Sequence, residues 1–317
     1  MQNQDIPVAI VVHGGAGAGK ELNDGCQAAA AAGMAKMSGG DDSLSAAIAA
    51  VLVLENDGRF NAGTGAALGL DGITIEMDAA VMDSRGTLSA VAALRSVKNP
   101  ILVARDVSRT PHCLLVGEGA QRFARLMGHA AYDGVTDKAR REHAEMLQQL
   151  CSHKPAMAGV DNQDFERFWN YAGAAALAGK MACDTVGAVA RDAQGHFAVA
   201  GSTGGSAPSL LGRVGDTAVV GAGFYAGPDG AVAATGVGEY IMRQMLASRV
   251  YHWIAAGMDL HRALRKGVGL IPPAVEVGLI AVSKTQAGSY SNADMPTFQI
   301  AEGASGDPPT ETAIVNQ

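Results

Sequence analysis

Aromatic residues are scarce in this 317-residue chain, only 5% of it, and charged residues reach only 17%. So little charge argues against disorder, because 48% of the residues are apolar and can fill a sizeable core. With few large rings, 41 glycines and many alanines, tight turns and closely packed layers with small side chains between them are expected. No collagen-like period and no repeat of fixed length is present. The four cysteines, Cys26, Cys113, Cys151 and Cys183, form no C-x-x-C pair and no Cys/His cluster of zinc spacing. They read as scattered buried thiols in a reduced, cytoplasmic protein. No apolar run approaches a membrane span, and the polar Met1–Pro7 lacks the form of a secretory leader. A positive excess is missing as well: the formal charge is −7, and the one basic cluster, Lys138, Arg140 and Arg141, sits among Glu142 and Glu145. That is the pattern of a solvated helix face and excludes neither protein nor small-molecule partners, but it argues against nucleic acid and membrane.

What is there is a succession of short elements. Val8–Val12 reads as a buried strand bounded by Pro7 and glycines. Glu21–Met37 is an alanine-rich helix, and Asp42 or Ser43 caps a second one with Leu44, Ala47, Ile48, Val51 and Leu54 at helical spacing. Glycines crowd residues 58–72 into a long structured loop. Ala79–Met82 and Leu88–Leu94 flank a turn with Gly86 at its tip, and Pro100 opens a helix at its first position. Residues 118–182 read as mostly helical, with about 134–182 as a connector. From Thr185 the chain turns β-rich: Thr185–Ala190 with His196–Gly201, and Val219–Tyr225 with Ala231–Thr235, are hairpins by pattern. Helices are expected at Glu239–Ala256 and Leu260–Val268, and strands at Val277–Val282 and near Tyr290. Hairpins outnumber strand–helix–strand units, which favours a layered α/β fold with largely antiparallel sheets.

The segment "IVVHGGAGAGK" tests one function class. Gly14, Gly19 and Lys20 have the spacing of a nucleotide-binding loop between a strand and a helix. The next residue should be Ser or Thr, to help hold Mg²⁺. Glu21 stands there instead, a negative charge where a phosphate would lie. A glycine-built turn, not an ATP site, is the reading that survives.

The stronger signal begins at "CDTVGAVARD" and continues through "STGG", "GRVGD" and "ATGVGE". Thr185, Thr203 and Thr235 each lie at the end of an expected strand, where a scaffold presents groups to a cleft. Singly these residues are ordinary. A strand threonine is a good β-former, and Arg213 with Asp216 could be a surface ion pair worth less than about 1 kcal/mol.

In order, together with "HGGAG", "FNAGTGAALGLDG" and "MDAAVMD", these motifs resemble the isoaspartyl peptidase/plant-type (type 2) asparaginase family of N-terminal-nucleophile hydrolases, over most of the chain outside the connector. The resemblance implies one domain over residues 1–317, an αββα sandwich with two mainly antiparallel sheets between helical layers. It implies a precursor that cuts itself between Asp184 and Thr185 into an α chain, 1–184, and a β chain, 185–317, with Gly15 as the part that moves. Thr185 would then be the nucleophile and its new amine the base, since an α-amine near pKa 7.7–8.0 can be free at neutrality while lysine, at about 10.4, is mostly charged. Thr203 would tune it; Thr235 and the Gly236 N–H would form an oxyanion hole. Arg213 would take the substrate α-carboxylate, Asp216 and the Gly238 carbonyl its ammonium, and Asn61 would lie beside the nucleophile. Backbone carbonyls of Leu54, Glu55, Asp57, Phe60, Ala62 and Thr64 would bind a structural Na⁺; no organic cofactor is implied. Expected substrates are β-aspartyl dipeptides and L-asparagine, and the expected assembly is a homodimer of αβ units. The chain departs from the family at Cys183, where histidine is common, at Gly58, where proline is common, and in the tail "YSNADMPTFQI". Two other readings are a glycosylasparaginase-type amidohydrolase and an uncleaved relative that only binds amino acids.

Overall fold

The computed structural model describes residues 6–151, 168, 170, 171 and 185–302. Cys183, Asp184 and most of the expected connector lie outside the described residues. The first strand, β1 (Ala9–His13), is followed by a 3₁₀ turn and two helices, α1 (Asn23–Ser38) and α2 (Ser43–Asn56). Asp42 caps α2, its side chain accepting from the Ser45 amide at 2.9 Å. The glycine-rich loop comes next, then the hairpin β2 (Met77–Asp83) and β3 (Leu88–Leu94), with Gly86 at φ 105° in its turn. Pro100 opens α3 (Pro100–Val107) as expected; β4 (Leu114–Val116), α4 (Gly117–Leu126) and α5 (Asp137–Cys151) complete the first part.

After the undescribed stretch come β5 (Thr185–Arg191), β6 (Phe197–Thr203), β7 (Phe224–Gly227) and β8 (Gly230–Gly236). Helices α6 (Gly238–Gln244), α7 (Leu246–Ala255) and α8 (Leu260–Val268) precede β9 (Val277–Ser283), β10 (Ala287–Ser291) and β11 (Thr297–Ala301). The strands form two sheets, ordered β11-β1-β5-β6-β2-β3-β4 and β10-β9-β8-β7. Every pairing between them is antiparallel except β3 with β4.

Alternation along the strands sorts their side chains onto two faces. Ile10, Val12, Val186, Ala188 and Ala200 pack outward against the apolar faces of α1, α2 and α3. Ala9, Val11, Val189 and Val199 turn inward and meet Phe224, Ala231, Ala233 and Ile280 of the second sheet. The outer face of that sheet, Val232, Ala234 and Leu279, is covered by Leu246, Val250 and Leu264 of α7 and α8. The result is the expected sandwich, helices on both outer faces and two sheets between. The alanine-rich layers explain how a core with so few rings closes up.

Three sequence expectations shift. The strand expected at Val219–Tyr225 starts only at Phe224, because residues 219–223 form turns in which Ala222 N donates to Val219 O at 3.0 Å and Gly221 takes φ 87°. The helix expected over Glu239–Ala256 breaks at Met245, φ 47°, where the Ala247 and Ser248 amides donate to the carbonyls of Ala222 and Gly221 at 3.0 and 2.9 Å. Tertiary hydrogen bonds thus replace helical ones. Cys113 is exposed, not buried, whereas Cys26 is buried.

Candidate active site

Thr185 is the first residue of β5, Thr203 the last of β6, and the antiparallel register sets them opposite each other. Both follow the inward phase of their strands. Thr235, in phase with the inward-facing Ala231 and Ala233, points toward them from β8. All three are buried, Thr185 at 7% exposure. A cleft at this end of the sandwich is lined by Thr185, Thr203, Ser206, Arg213, Asp216 and Gly236, among others. Residues far apart in sequence thus converge because two sheets end together.

Each group is held from outside the cleft. The Thr235 hydroxyl accepts from the Ala16 amide at 3.2 Å, which leaves its own proton for a partner in the site. Ala16 belongs to the "HGGAG" turn, itself pinned by Gly14 N to Pro296 O (2.9 Å) and Gly17 N to Asp294 O (2.7 Å). The C-terminal tail therefore braces the glycine turn, and Gly15 takes φ 115° within it. Lys20 pairs with Asp294 at 3.2 Å, and Glu21 folds back over Gly19, so the would-be phosphate loop is occupied by its own side chains. Gly236 adopts φ 133°, and a side chain there would strike the Glu276 carbonyl. Asn61 grips the turn after Thr203: its Nδ2 donates to Gly205 O at 2.7 Å, and its backbone carbonyl accepts from Gly204 N at 2.8 Å.

The charged groups divide the cleft. Arg213 pairs not with Asp216 but with Glu239, Nε to Oε1 and Nη2 to Oε2, both 2.9 Å. Burial pushes the Glu239 carboxyl up, but the Arg213 hydrogen bonds and charge outweigh it and hold it below its ordinary value. Asp216 is only 3% exposed, and its Oδ2 has no partner among the described residues. Burial raises it to about 7, with the Arg213 charge opposing. Gly238 lies against both: a Cβ there would stand 2.8 Å from Arg213 Nη2 and 2.9 Å from Asp216 Oδ1. A carboxylate and a guanidinium thus flank one small opening, an arrangement whose charges could complement a zwitterionic head group.

A family model described as asparaginase matches residues 6–306. This chain belongs to the isoaspartyl peptidase/plant-type asparaginase family. The family member from Pyrococcus abyssi named plant-type L-asparaginase is 39% identical over 274 residues, 83% of this chain and 85% of that protein. Proteins named isoaspartyl peptidase/L-asparaginase are 36% identical in Macaca fascicularis and 35% in Homo sapiens, each match spanning 97% of this chain and 98% of the relative.

In this asparaginase-family chain the geometry adds residues the sequence reading did not single out. Glu239 is the partner that orients Arg213. Asp78, buried and raised by that burial to about 6, accepts from Gly215 N at 3.1 Å and from Ala93 N at 2.9 Å, and so fixes the loop that carries Arg213 and Asp216. Ser206 lines the cleft with a buried hydroxyl that has no partner among the described residues. Asp78 and Glu239 lie inside motifs legible in the sequence, "MDAAVMD" and "ATGVGE", while Ser206 lies just beyond "STGG".

The expected sodium loop of this asparaginase-family chain coils on itself. The Leu54, Asp57, Phe60 and Ala62 carbonyls each accept one amide within it, from Asp57, Phe60, Ala62 and Gly65 at 2.9–3.2 Å. Each keeps a second lone pair. The buried Thr64 hydroxyl lacks a partner among the described residues, and an oxygen-only donor set of this kind suits a hard monovalent cation. Among the described residues no three His, Cys, Asp or Glu side chains gather as a metal site, and no described helix is long and apolar enough to cross a membrane.

Proposed function

We propose that this protein is a threonine hydrolase, armed by its own cleavage before Thr185, that acts on β-aspartyl dipeptides and the side-chain amide of L-asparagine. The observation that carries the reading is the convergence of Thr185, Thr203, Arg213, Asp216 and Gly236 on one cleft. Its relatives' names support the substrate class.

The chemistry follows from the groups present. In the precursor, Thr185 Oγ adds to the Asp184 carbonyl; the C–N bond breaks, the amine leaves with the hydroxyl proton, and an ester remains. Water then hydrolyses the ester, leaving the Asp184 carboxylate and a free Thr185. The released amine stands beside the hydroxyl it deprotonates, so little orientational entropy remains to be lost. In turnover, Oγ attacks the substrate's side-chain amide or isopeptide carbonyl, and the nitrogen leaves as ammonia or as the amine of the downstream residue. Water releases L-aspartate from the acyl-enzyme. The Thr235 proton and the Gly236 N–H would donate to the oxyanion; losing one such donor typically costs about 3–4 kcal/mol. Thr203 would hydrogen-bond near the nucleophile. Arg213 would bind the α-carboxylate, held in orientation by Glu239, and Asp216 with the Gly238 carbonyl would take the ammonium. Leu54, Glu55, Asp57, Phe60, Ala62 and Thr64 would hold Na⁺, which stiffens the loop and takes no part in the steps. The protein would work as one domain, in a cytoplasmic homodimer of αβ units.

Denaturing electrophoresis with mass spectrometry tests this. Fragments of 184 and 133 residues are expected from wild type, and one intact, inactive chain from Thr185→Ala. Full turnover of a β-aspartyl dipeptide by uncut protein would overturn the reading.

A further inference from the structure

Next to the cleft, and sharing Thr185 and Thr217 with it, lies a small cavity of about 10 Å³, room for one water molecule. It exists because the register pairs a glycine with a glycine there: Gly187 stands opposite Gly201, two residues along from the pair Thr185 and Thr203. His13, opposite Gly187 on β1, lays its ring into the gap, where a side chain at 187 would collide with Nε2. On the other flank, a Cβ at 201 would meet Thr217 Cγ2 at 3.6 Å. His13 is fully buried, and neither of its ring nitrogens has a hydrogen-bond partner among the described residues. The same holds for Thr217 Oγ1, on a residue only 4% exposed. Such unsatisfied groups are costly to bury, and a polar cavity of this size is where a buried water offsets the cost. Burial pushes the His13 ring down to about 3, opposed more weakly by a contact with the Thr185 backbone that lies outside hydrogen-bond geometry and so leaves both ring nitrogens open to a water. The imidazole is therefore neutral at working pH, with one nitrogen to donate and one to accept.

We propose that this cavity is a structural water site held by His13 and Thr217, and that the water with the His13 ring positions Thr185 for attack. The inference rests on the reading of Thr185 as the nucleophile. Filled in this way, the space against Thr185 is packed and hydrogen-bonded without any added charge. With one anchor lost, the water leaves, and the threonine side chain gains room to adopt a rotamer that does not face the cleft. His13 is thus a positioning residue that acts through the water, and the expected signature is a loss in kcat with little change in KM.

The test combines high-resolution crystal structures with kinetics on a β-aspartyl dipeptide, with kcat counted per cleaved chain. The variants are His13→Phe, which keeps a ring, and Thr217→Val, which keeps the shape. Wild type should show one ordered water within about 3.2 Å of a His13 ring nitrogen and of Thr217 Oγ1, absent from both variants. Each variant should lose about tenfold in kcat with KM within about twofold, and the double variant should lose no more than the worse single, because both act through one water. His13→Gln, which keeps a donor and an acceptor, should recover to within about threefold of wild type. A dry cavity in wild type, unchanged kcat in Thr217→Val with the water gone, or losses that multiply to about a hundredfold in the double variant would each overturn the proposal. If His13→Phe fails to fold, Thr217→Val carries the decision alone. Thr185→Ala is assayed beside them: turnover by that variant sinks the functional reading itself. If instead it is dead while the water variants run at wild-type kcat, only the water site falls.

Discussion

Replacing Asp216 by Asn removes a carboxylate that the fold buries and leaves with one oxygen unpartnered among the described residues. In the native chain its pKa is raised from 3.8 to about 7, chiefly by burial. The sign follows from proton counting. Between about pH 4 and 7 the native state keeps the proton and the unfolded state has lost it, so stability falls as pH rises through that window. At pH 5 roughly the first 1–2 kcal/mol of this cost is already present; at pH 8 the full shift of about three units costs roughly 4 kcal/mol. Asn at 216 carries no titrating group. Whatever its hydrogen bonds cost, that part is the same at both pH values, so the variant should gain on its parent by roughly 2–3 kcal/mol between pH 5 and pH 8. Urea midpoints measured for both proteins in the Thr185→Ala background, which stays one chain under the proposed function, give the difference directly. A ΔΔG equal at the two pH values would show that Asp216 titrates normally and that the cleft does not desolvate its charge. A second readout follows in the active enzyme: KM for a β-aspartyl dipeptide should fall as pH rises through about 7, where Asp216 gains the charge that meets the ammonium.

Arg213→Ala should leave self-cleavage intact and raise KM by roughly 30-fold or more, about 2 kcal/mol, since it removes a charge-assisted carboxylate contact and strands Glu239; unchanged steady-state kinetics would remove the clamp from the mechanism. Gly238→Ala places a methyl 2.8 Å from Arg213 Nη2 and 2.9 Å from Asp216 Oδ1; the fold should persist, as judged by circular dichroism, while KM rises about tenfold as the two charges are pushed apart. Asp42→Ala removes the α2 cap and an ion pair with Arg85, and should cost about 1 kcal/mol, seen as a fall of roughly 2 °C in thermal midpoint with no change in kcat.

Where local rules decide, the sequence was enough. The cap at Asp42 with apolar residues at 44, 47, 48, 51 and 54 marks α2, and the structure places it at Ser43–Asn56. Leu260–Val268 is a helix with the expected bounds. Two strands escaped because their partners, not their own patterns, make them: Thr297–Ala301 pairs with Ala9–His13, and Leu114–Val116 runs parallel to β3. The break at Met245 likewise depends on carbonyls of residues 221 and 222. The threonines, Arg213 and Asp216 stood out through the order of their motifs. Glu239 and Asp78 lay inside quoted motifs but without a role, because each acts through a contact with a residue 26 or 137 positions away, and no spacing along the chain announces that.

The strand order has a consequence for the life of the protein once it is cut as proposed before Thr185. Of the seven strands in the larger sheet, β1, β2, β3 and β4 precede Thr185 and β5, β6 and β11 follow it, and the two sets interleave: β1 is clasped between β11 and β5, and β6 lies against β2. The proposed nick before Thr185 would therefore free an amine but no fragment, since the pieces are woven through one another's ladders. Once unfolded, however, they drift apart, and re-forming the sheet becomes a meeting of two molecules whose success depends on dilution. Such an enzyme survives by how slowly it opens, more than by how readily it could fold again.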